Sequence, residues 1–216
     1  LELAKRRSYQ AGVLEGSDMA KVFAWMRPND LIWNYWVNNY LLGNEPPVFD
    51  ILFWNNDTTR LPAAFHGDLI EMFKNNPLVR PGALEVCGTP IDLSQVTTDI
   101  FSVAGTNDHI TPWKSCYKSA QLFGGKVEFL LSNSGHIQSI LNPPGNPKAR
   151  YMTSSEMPAL ADDWQENSTK HTDSWWLYWQ TWLAERSGEL KPAPTKLGNK
   201  AYPSAEAAPG TYVHER

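Results

Sequence analysis

Cysteine is scarce in this chain. Cys87 and Cys116 are the only two among 216 residues. That is too few for a disulfide framework or a thiolate metal cluster, and it points to a reduced, cytoplasmic setting with no structural metal. An excess of positive charge is missing too. Lys and Arg number 19 against 23 Asp and Glu, a formal charge of -4, and with a pI near 5.7 there is no basic face for nucleic acid. No apolar run approaches the roughly 20 residues that span a bilayer, and no signal peptide is visible. There is no glycine-rich phosphate loop and no His-Glu-x-x-His zinc spacing. Nor does any Gly-x-Ser-x-Gly or Gly-x-Cys-x-Gly box occur, so the chain carries no nucleophile elbow.

Apolar and aromatic residues are plentiful: 42% hydrophobic and 12% aromatic, with 10 Trp, enough to fill a packed core. The first residues, Leu1-Glu2-Leu3-Ala4-Lys5-Arg6-Arg7, read as the middle of a helix with no methionine before them, so the expectation is a fragment whose upstream part is missing. Residues 1–26 carry helical spacing through Val13, Leu14, Met19, Val22, Phe23 and Met26. Arg27-Pro28-Asn29 interrupts it, and Asp30 is expected to cap a second helix running through Leu31, Ile32, Tyr35, Trp36 and Tyr40. Residues 64–75 read as a helix closed by Asn75-Asn76-Pro77.

After Pro81-Gly82 the pattern changes. Residues 83–87 and 88–93 read as two short strands around a turn. A compact apolar run at 100–104, a helical stretch at 114–122 and a second run at 127–131 form a strand, helix, strand unit, which implies parallel pairing. Residues 143–172 are rich in proline and polar side chains and read as a long surface excursion. Asp173 is expected to cap a helix that spaces Trp175, Trp176, Trp179, Trp182 and Leu183 for packing, with Arg186 near its end and Gly188 just past it. From Lys191 onward the chain reads as an extended tail. Trp25, Trp33, Trp36 and Trp54, with Phe23, Phe49 and Phe53, make the N-terminal region too aromatic for solvated helices alone; it suits burial over a groove or an oligomer contact.

In sheets of this kind, catalytic groups gather at the carboxyl ends of the strands. Two loops meet that rule. Gly105-Thr106-Asn107-Asp108-His109-Ile110-Thr111-Pro112-Trp113 follows the first strand, and Asn133-Ser134-Gly135-His136-Ile137-Gln138 follows the second. Taken singly, Asp108 is an ordinary turn former and His136 an ordinary loop residue. Taken together, an acid after one strand and a histidine after the next is the order of α/β-hydrolases, in which the acid orients an imidazole that deprotonates a nucleophile. His109 is too close to Asp108 in sequence to face it, and reads as a rim residue. Cys87 and Cys116 lack the small neighbours of a nucleophile elbow and read as packed thiols.

Three motifs, in order, then carry a likeness. Phe53-Trp54-Asn55-Asn56-Asp57-Thr58-Thr59-Arg60-Leu61-Pro62, the Asp108 loop, and Ser134-Gly135-His136-Ile137-Gln138 with Asn142-Pro143-Pro144 resemble the C-terminal portion of polyhydroxyalkanoate synthases of the pseudomonad, medium-chain type. The resemblance implies an α/β-hydrolase core with an inserted, mostly helical cap: 1–66 as cap with a preceding core helix, 67–190 as the C-terminal part of the core, and 191–216 as tail. It implies Asp108 as catalytic acid and His136 as catalytic histidine, serving a cysteine in a box upstream of this chain. The implied reaction is polymerisation of (R)-3-hydroxyacyl-coenzyme A thioesters with release of coenzyme A, and the implied partners are the growing polyester, the granule surface and a second copy in a homodimer. No cofactor is implied, since coenzyme A is part of the substrate. Ser134 and Gln138, two residues either side of His136, are expected to shape the acyl pocket. An esterase or polyester depolymerase uses the same Asp-His pair, and a non-catalytic module presenting its aromatic surface to polymer is a third reading.

Overall fold

A computed structural model of the chain describes residues 1–26, 28–48, 58–207 and 210–211. Phe49, Phe53, Trp54 and the first five residues of the Phe53–Pro62 motif fall outside the described residues. The chain divides into two compact units, Leu1–Asn76 with Pro194–Arg216, and Pro77–Ala193.

In the first unit the helical spacing of residues 1–26 is cut in two. Helix α1 (Glu2–Ala11) stops at Gly12, whose φ of 79° lies in the left-handed region that only glycine enters at no cost. The chain then forms β1 (Val13–Leu14) and restarts as α2 (Gly16–Met26). Asp30 is not a cap: Pro28 occupies the N-cap position and Asp30 lies in the first turn of the helical stretch Asn29–Trp33, which continues as Trp36–Leu41. Strand β2 (Leu61–Pro62) pairs antiparallel with β1 and leads into α3 (Ala63–Asn75). This helix closes at Asn76, in the left-handed conformation at φ 41°. It lies against α1 through Lys5 and Glu71 at 2.9 Å, Lys74 and Glu2 at 2.9 Å, and His66 and Ser8 at 2.8 Å. In the tail, Gly198 and Pro203 form one antiparallel bridge.

The second unit opens with a hairpin, β3 (Glu85–Val86) and β4 (Thr89–Pro90), turned by Cys87 and Gly88, both at positive φ. Strand β5 (Ile100–Gly105), helix α4 (Trp113–Ala120) and strand β6 (Val127–Ser132) form the expected crossover, and β5 pairs with β6 in parallel from Ile100↔Val127 to Gly105↔Ser132. Residues from Phe129 to Ser132 are all buried, as a strand covered on both faces requires. On one face Phe129, Leu131 and Ala104 meet Tyr117 and Ala120 of α4.

The surface excursion expected for 143–172 is not there. That stretch adds β7 (Arg150–Thr153), helix α5 (Ala161–Glu166) and β8 (Thr169–Thr172), extending the sheet in the order β5-β6-β7-β8 with both new pairings antiparallel. Four-residue strands reading Arg-Tyr-Met-Thr and Thr-Lys-His-Thr are too short and polar to stand out; of their residues only Thr153 is buried, and β8 is the edge of the sheet. One residue ties the stretch to the core. Trp164 of α5 is fully buried, with its ring centroid 5.0 Å from Phe129 and 5.8 Å from Tyr117.

Helix α6 (Trp175–Ala184) covers the opposite face, where Phe101 meets the rings of Trp175, Tyr178 and Trp182 at 6.2, 6.1 and 5.5 Å. Its cap is Ser174 rather than Asp173: the Ser174 hydroxyl accepts from Trp176 N at 3.0 Å, whereas Asp173 sits at φ 98° and takes only the Ser174 N–H. Tyr178 donates to Glu128 of β6, and burial followed by that hydrogen bond pushes the phenol up to about 12, so it stays a donor. Arg186 closes the far end, 2.7 Å from Asp99 and stacked 4.1 Å over Trp182.

Trp164 Nε1 is buried without a hydrogen-bond partner among the described residues, so the side chain is held by packing alone. Trp164→Ala is expected to lower stability by about 3–5 kcal/mol through the cavity it leaves. Trp164→Phe is expected to cost less than half of that, because losing ring volume also removes an unpaired buried N–H. Urea unfolding followed by far-UV circular dichroism measures both, and equal losses in the two variants would refute the packing account.

Candidate active site

Because β5 and β6 are parallel and in register, the loops that follow them leave the sheet at the same level. Backbone bonds then stitch them together: Thr106 N donates to Ser132 O at 2.9 Å and Asn107 N to Ser134 O at 3.1 Å. Asp108 N turns back to Gly105 O at 3.2 Å, which fixes the direction of the aspartate. Gly105 is required here, since a Cβ at that position would come within 2.7 Å of Ser139 Oγ in the neighbouring loop.

The Asp108 carboxylate gathers four donors. Its Oδ1 accepts from Ile110 N and Thr111 N, each at 2.9 Å, an Asx-type turn. Its Oδ2 accepts from Thr111 Oγ1 at 2.7 Å and from His136 Nδ1 at 2.8 Å. The Asp108 side chain is only 5% exposed, whereas His136 is 44% exposed. Burial alone pushes the Asp108 carboxyl up, but the Thr111 N–H and hydroxyl, His136 and the Ile110 N–H together outweigh it and hold the carboxyl well below the usual carboxylate range.

That ionisation fixes the chemistry of the pair. A carboxylate only accepts, so His136 Nδ1 must carry the proton toward Asp108. In the neutral imidazole the other ring nitrogen, Nε2, is then the one without a proton, on a half-exposed ring where it can accept one from a group outside the pair.

The two residues that strand-end logic selected are thus in contact across 28 positions of sequence. Ser134 lies in the same turn as His136, with its backbone at φ 83°, and its carbonyl holds Asn107. Gln138 is exposed, and neither the Ser134 nor the Gln138 side chain makes a hydrogen bond among the described residues. His109 is exposed, as a rim residue would be. Cys87 sits exposed in the hairpin turn. Cys116 packs against the core with its thiol directed to Thr111 O at 3.6 Å; burial and then the Asp108 charge push the thiol up, so it stays protonated. Thr111 is the site residue that motif reading passed over. Its signal is present in the spacing Asp108-x-x-Thr111, an aspartate followed at i+3 by a hydroxyl residue.

Asp108 also makes the loop pH-sensitive. Its native value lies below its unfolded value of about 3.9, so its stabilisation is complete above about pH 5 and is lost as pH falls through the native value. Asp108→Asn cannot accept from all four donors and is expected to cost about 1.5–3 kcal/mol at pH 7. It should also lose less stability than the parent chain between pH 5 and pH 2.5. Urea midpoints across that range are the measurement, and parallel pH curves would count against the assignment.

The chain matches the model of the alpha/beta hydrolase fold family over residues 2–143, a span that includes both Asp108 and His136. It is similar to poly(3-hydroxyalkanoate) polymerase 1 of Ectopseudomonas oleovorans, at 82% identity over all 216 residues, which cover 39% of that protein. Identity to poly(3-hydroxyalkanoate) polymerase 2 of the same organism is 60%, again over the whole chain and 39% of the relative. Identity to the poly(3-hydroxyalkanoate) polymerase subunit PhaC of Cupriavidus necator is 41% over 202 residues, 93% of this chain and 34% of that one. The chain therefore spans about two fifths or less of the length of these curated relatives. Parallel strands that deliver an aspartate and a histidine to one edge agree with the family match, and the chain belongs to the α/β-hydrolase fold family.

Proposed function

We propose that this chain is the acid- and histidine-bearing part of an acyltransferase that polymerises (R)-3-hydroxyacyl-coenzyme A thioesters into polyhydroxyalkanoate. The carrying observation is the 82% identity to a poly(3-hydroxyalkanoate) polymerase along every residue of the chain. The Asp108–His136 pair at 2.8 Å supports the mechanism.

In this reading the nucleophile is a cysteine on a segment outside these 216 residues. A thiol of pKa about 8.5 is mostly protonated at neutral pH and needs a base. His136 Nε2 takes the thiol proton, and the thiolate attacks the thioester carbonyl. The coenzyme A thiolate leaves with the proton returned from the imidazolium, and the acyl group remains on the cysteine. A hydroxyl, from the chain end or from a second hydroxyacyl unit, next gives its proton to His136 and attacks the acyl-cysteine. A new ester forms and the cysteine is released. Asp108, ionised throughout, stabilises the imidazolium in both halves and keeps Nδ1 as the donor. The product is apolar polyester, so the working place is the surface of a polymer granule. No helix among the described residues is long and apolar enough to cross a membrane.

In the full-length polymerase, His136→Ala is expected to lower the rate of coenzyme A release by about 10²–10⁴, and Asp108→Ala by a comparable factor. A rate like the parent's in either variant overturns the assignment. Free hydroxy acid in place of polymer would instead mark water as the acceptor and the protein as a hydrolase of the same fold.

Ser134→Gly and Gln138→Ala alter the turn two residues either side of the histidine, without touching the Asp108–His136 bond. They are expected to change the ratio of rates between short and medium acyl chains by several-fold, less than the roughly 10-fold or more that a whole methylene in an apolar pocket is worth. Equal losses for every chain length would remove them from the acyl pocket.

A further inference from the structure

The turn that carries His136 continues through Ser139, Ile140 and Asn142, and each of these offers its carbonyl to the start of α6. Trp175 Nε1 donates to Ser139 O at 2.8 Å, and Trp176 Nε1 donates to Ile140 O at 2.9 Å. The Ser174 hydroxyl, while capping the helix, donates to Asn142 O. Three consecutive residues thus take three carbonyls from a four-residue stretch of loop. Ser139, Asn142, Ser174 and Trp175 are all buried, so the bonds of Ser174 and Trp175 are shielded from water, while the Trp176–Ile140 bond lies at the surface.

The segment held in this way supports both halves of the pair. Ser139 N donates to Gly135 O at 3.0 Å, closing the turn around His136, and the Ser139 hydroxyl reaches His136 O at 3.5 Å. The same hydroxyl rests on Gly105, the last residue of β5, where a Cβ would come within 2.7 Å. Gly105 is also the start of the loop that carries Asp108. Helix α6 is meanwhile fixed to the sheet at three points: the Phe101 ring, the Tyr178–Glu128 bond and the Arg186–Asp99 ion pair at 2.7 Å.

We propose that Trp175 and Trp176 are positioning residues for His136. Their indole N–H groups clamp the carbonyls just after the histidine, so that Nε2 is aimed while Nδ1 stays on Asp108. The inference rests on the reading of His136 as the general base. An indole suits the task because it donates one hydrogen bond and accepts none, and its large ring has only two side-chain torsions to fix. Trp175→Phe fills most of the volume but leaves the buried Ser139 carbonyl without its donor, and the turn shifts to satisfy it; Trp176→Phe leaves the Ile140 carbonyl with only the Asn142 N–H at 3.1 Å.

The test uses the full-length polymerase, with coenzyme A release from a saturating hydroxyacyl thioester as readout. Trp175→Phe is expected to lower kcat roughly tenfold and Trp176→Phe several-fold, less than the ~10²-fold that a full 1 Å misplacement costs. KM should stay within about twofold, because no acyl contact is altered. Trp182→Phe, which packs on Phe101 from the same helix without reaching the loop, should leave kcat unchanged. If Trp175→Phe does not accumulate as folded protein, Trp176→Phe, on the half-buried side, carries the test by itself. Parent-like kcat in the indole variants alongside an inactive His136→Ala overturns the clamp and leaves the general base standing. An active His136→Ala overturns the reading beneath it. A rise in KM with kcat intact, or an equal kcat loss in Trp182→Phe, also overturns the clamp.

Discussion

Parallel pairing of β5 with β6 stops at Gly105↔Ser132, and the site depends on the two strands ending level. A slip of one residue would turn the side chains of one strand to the other face and carry its loop about 3.3 Å along the sheet. The slip is opposed on both faces at once. Phe129 and Leu131 are locked among Tyr117, Ala120 and Trp164 on one side, while Phe101 and Glu128 engage α6 on the other. A slip of β6 would bring Glu128 to the face of Tyr117 and Trp164 and take Phe129 and Leu131 off it. The 2.8 Å contact between Asp108 and His136 is thus a consequence of core packing some residues away.

Asp108 shows which of two opposed effects wins. A carboxylate with a side chain only 5% exposed would ordinarily be driven toward its neutral form. Four donors reverse that outcome, three of them from the next three residues of its own loop. With hydrogen bonds to a charged acceptor contributing about 1.5–3 kcal/mol each, the local turn suffices to keep the group ionised before the histidine is added. The charge is set by Thr111 and Ile110, and the imidazole answers to it. The acid arrives preorganised, and the tautomer of His136 follows.

Much of this was legible in the sequence, for identifiable reasons. Residues 100–104 and 127–131 are short, mostly apolar runs, each broken by one polar residue (Ser102, Glu128) and bounded by glycine or polar loops, and the helix between them declares the parallel crossover. With the strands placed, the rule that chemistry sits at their carboxyl ends selects Asp108 and His136 from 23 acids and 5 histidines. The stretch 143–172 was not legible, because Arg150–Thr153 and Thr169–Thr172 are short, polar strands of which only Thr153 is buried, the second of them at the sheet edge. The cap of α6 was misplaced by one residue for a related reason. Aspartate and serine both cap helices well, and only the backbone conformation at Asp173 decides between them. Hydrogen bonds that span 32 to 36 positions, such as those from Ser174, Trp175 and Trp176 to the histidine loop, leave no periodic trace at all.

The tryptophans of α6 unite the packing reading with the polar one. At helical spacing, Trp175, Trp179 and Trp182 look like an apolar stripe, and Trp175 and Trp182 do pack on Phe101. A leucine stripe would supply the same burial, about 25 cal/mol for each square ångström of apolar surface covered, but it would bring no donor to the carbonyls of Ser139 and Ile140. Those carbonyls belong to an irregular loop with no ladder to satisfy them; Ile140 O also has the Asn142 N–H, but leaving the buried Ser139 carbonyl unpaired costs about 1–3 kcal/mol. Indoles at the first turn of α6 meet both demands with one side chain each. The end of the helix nearest the histidine therefore needs tryptophan for its N–H as well as its ring. Toward the far end, where Trp182 faces Phe101 and Arg186, the ring alone is used.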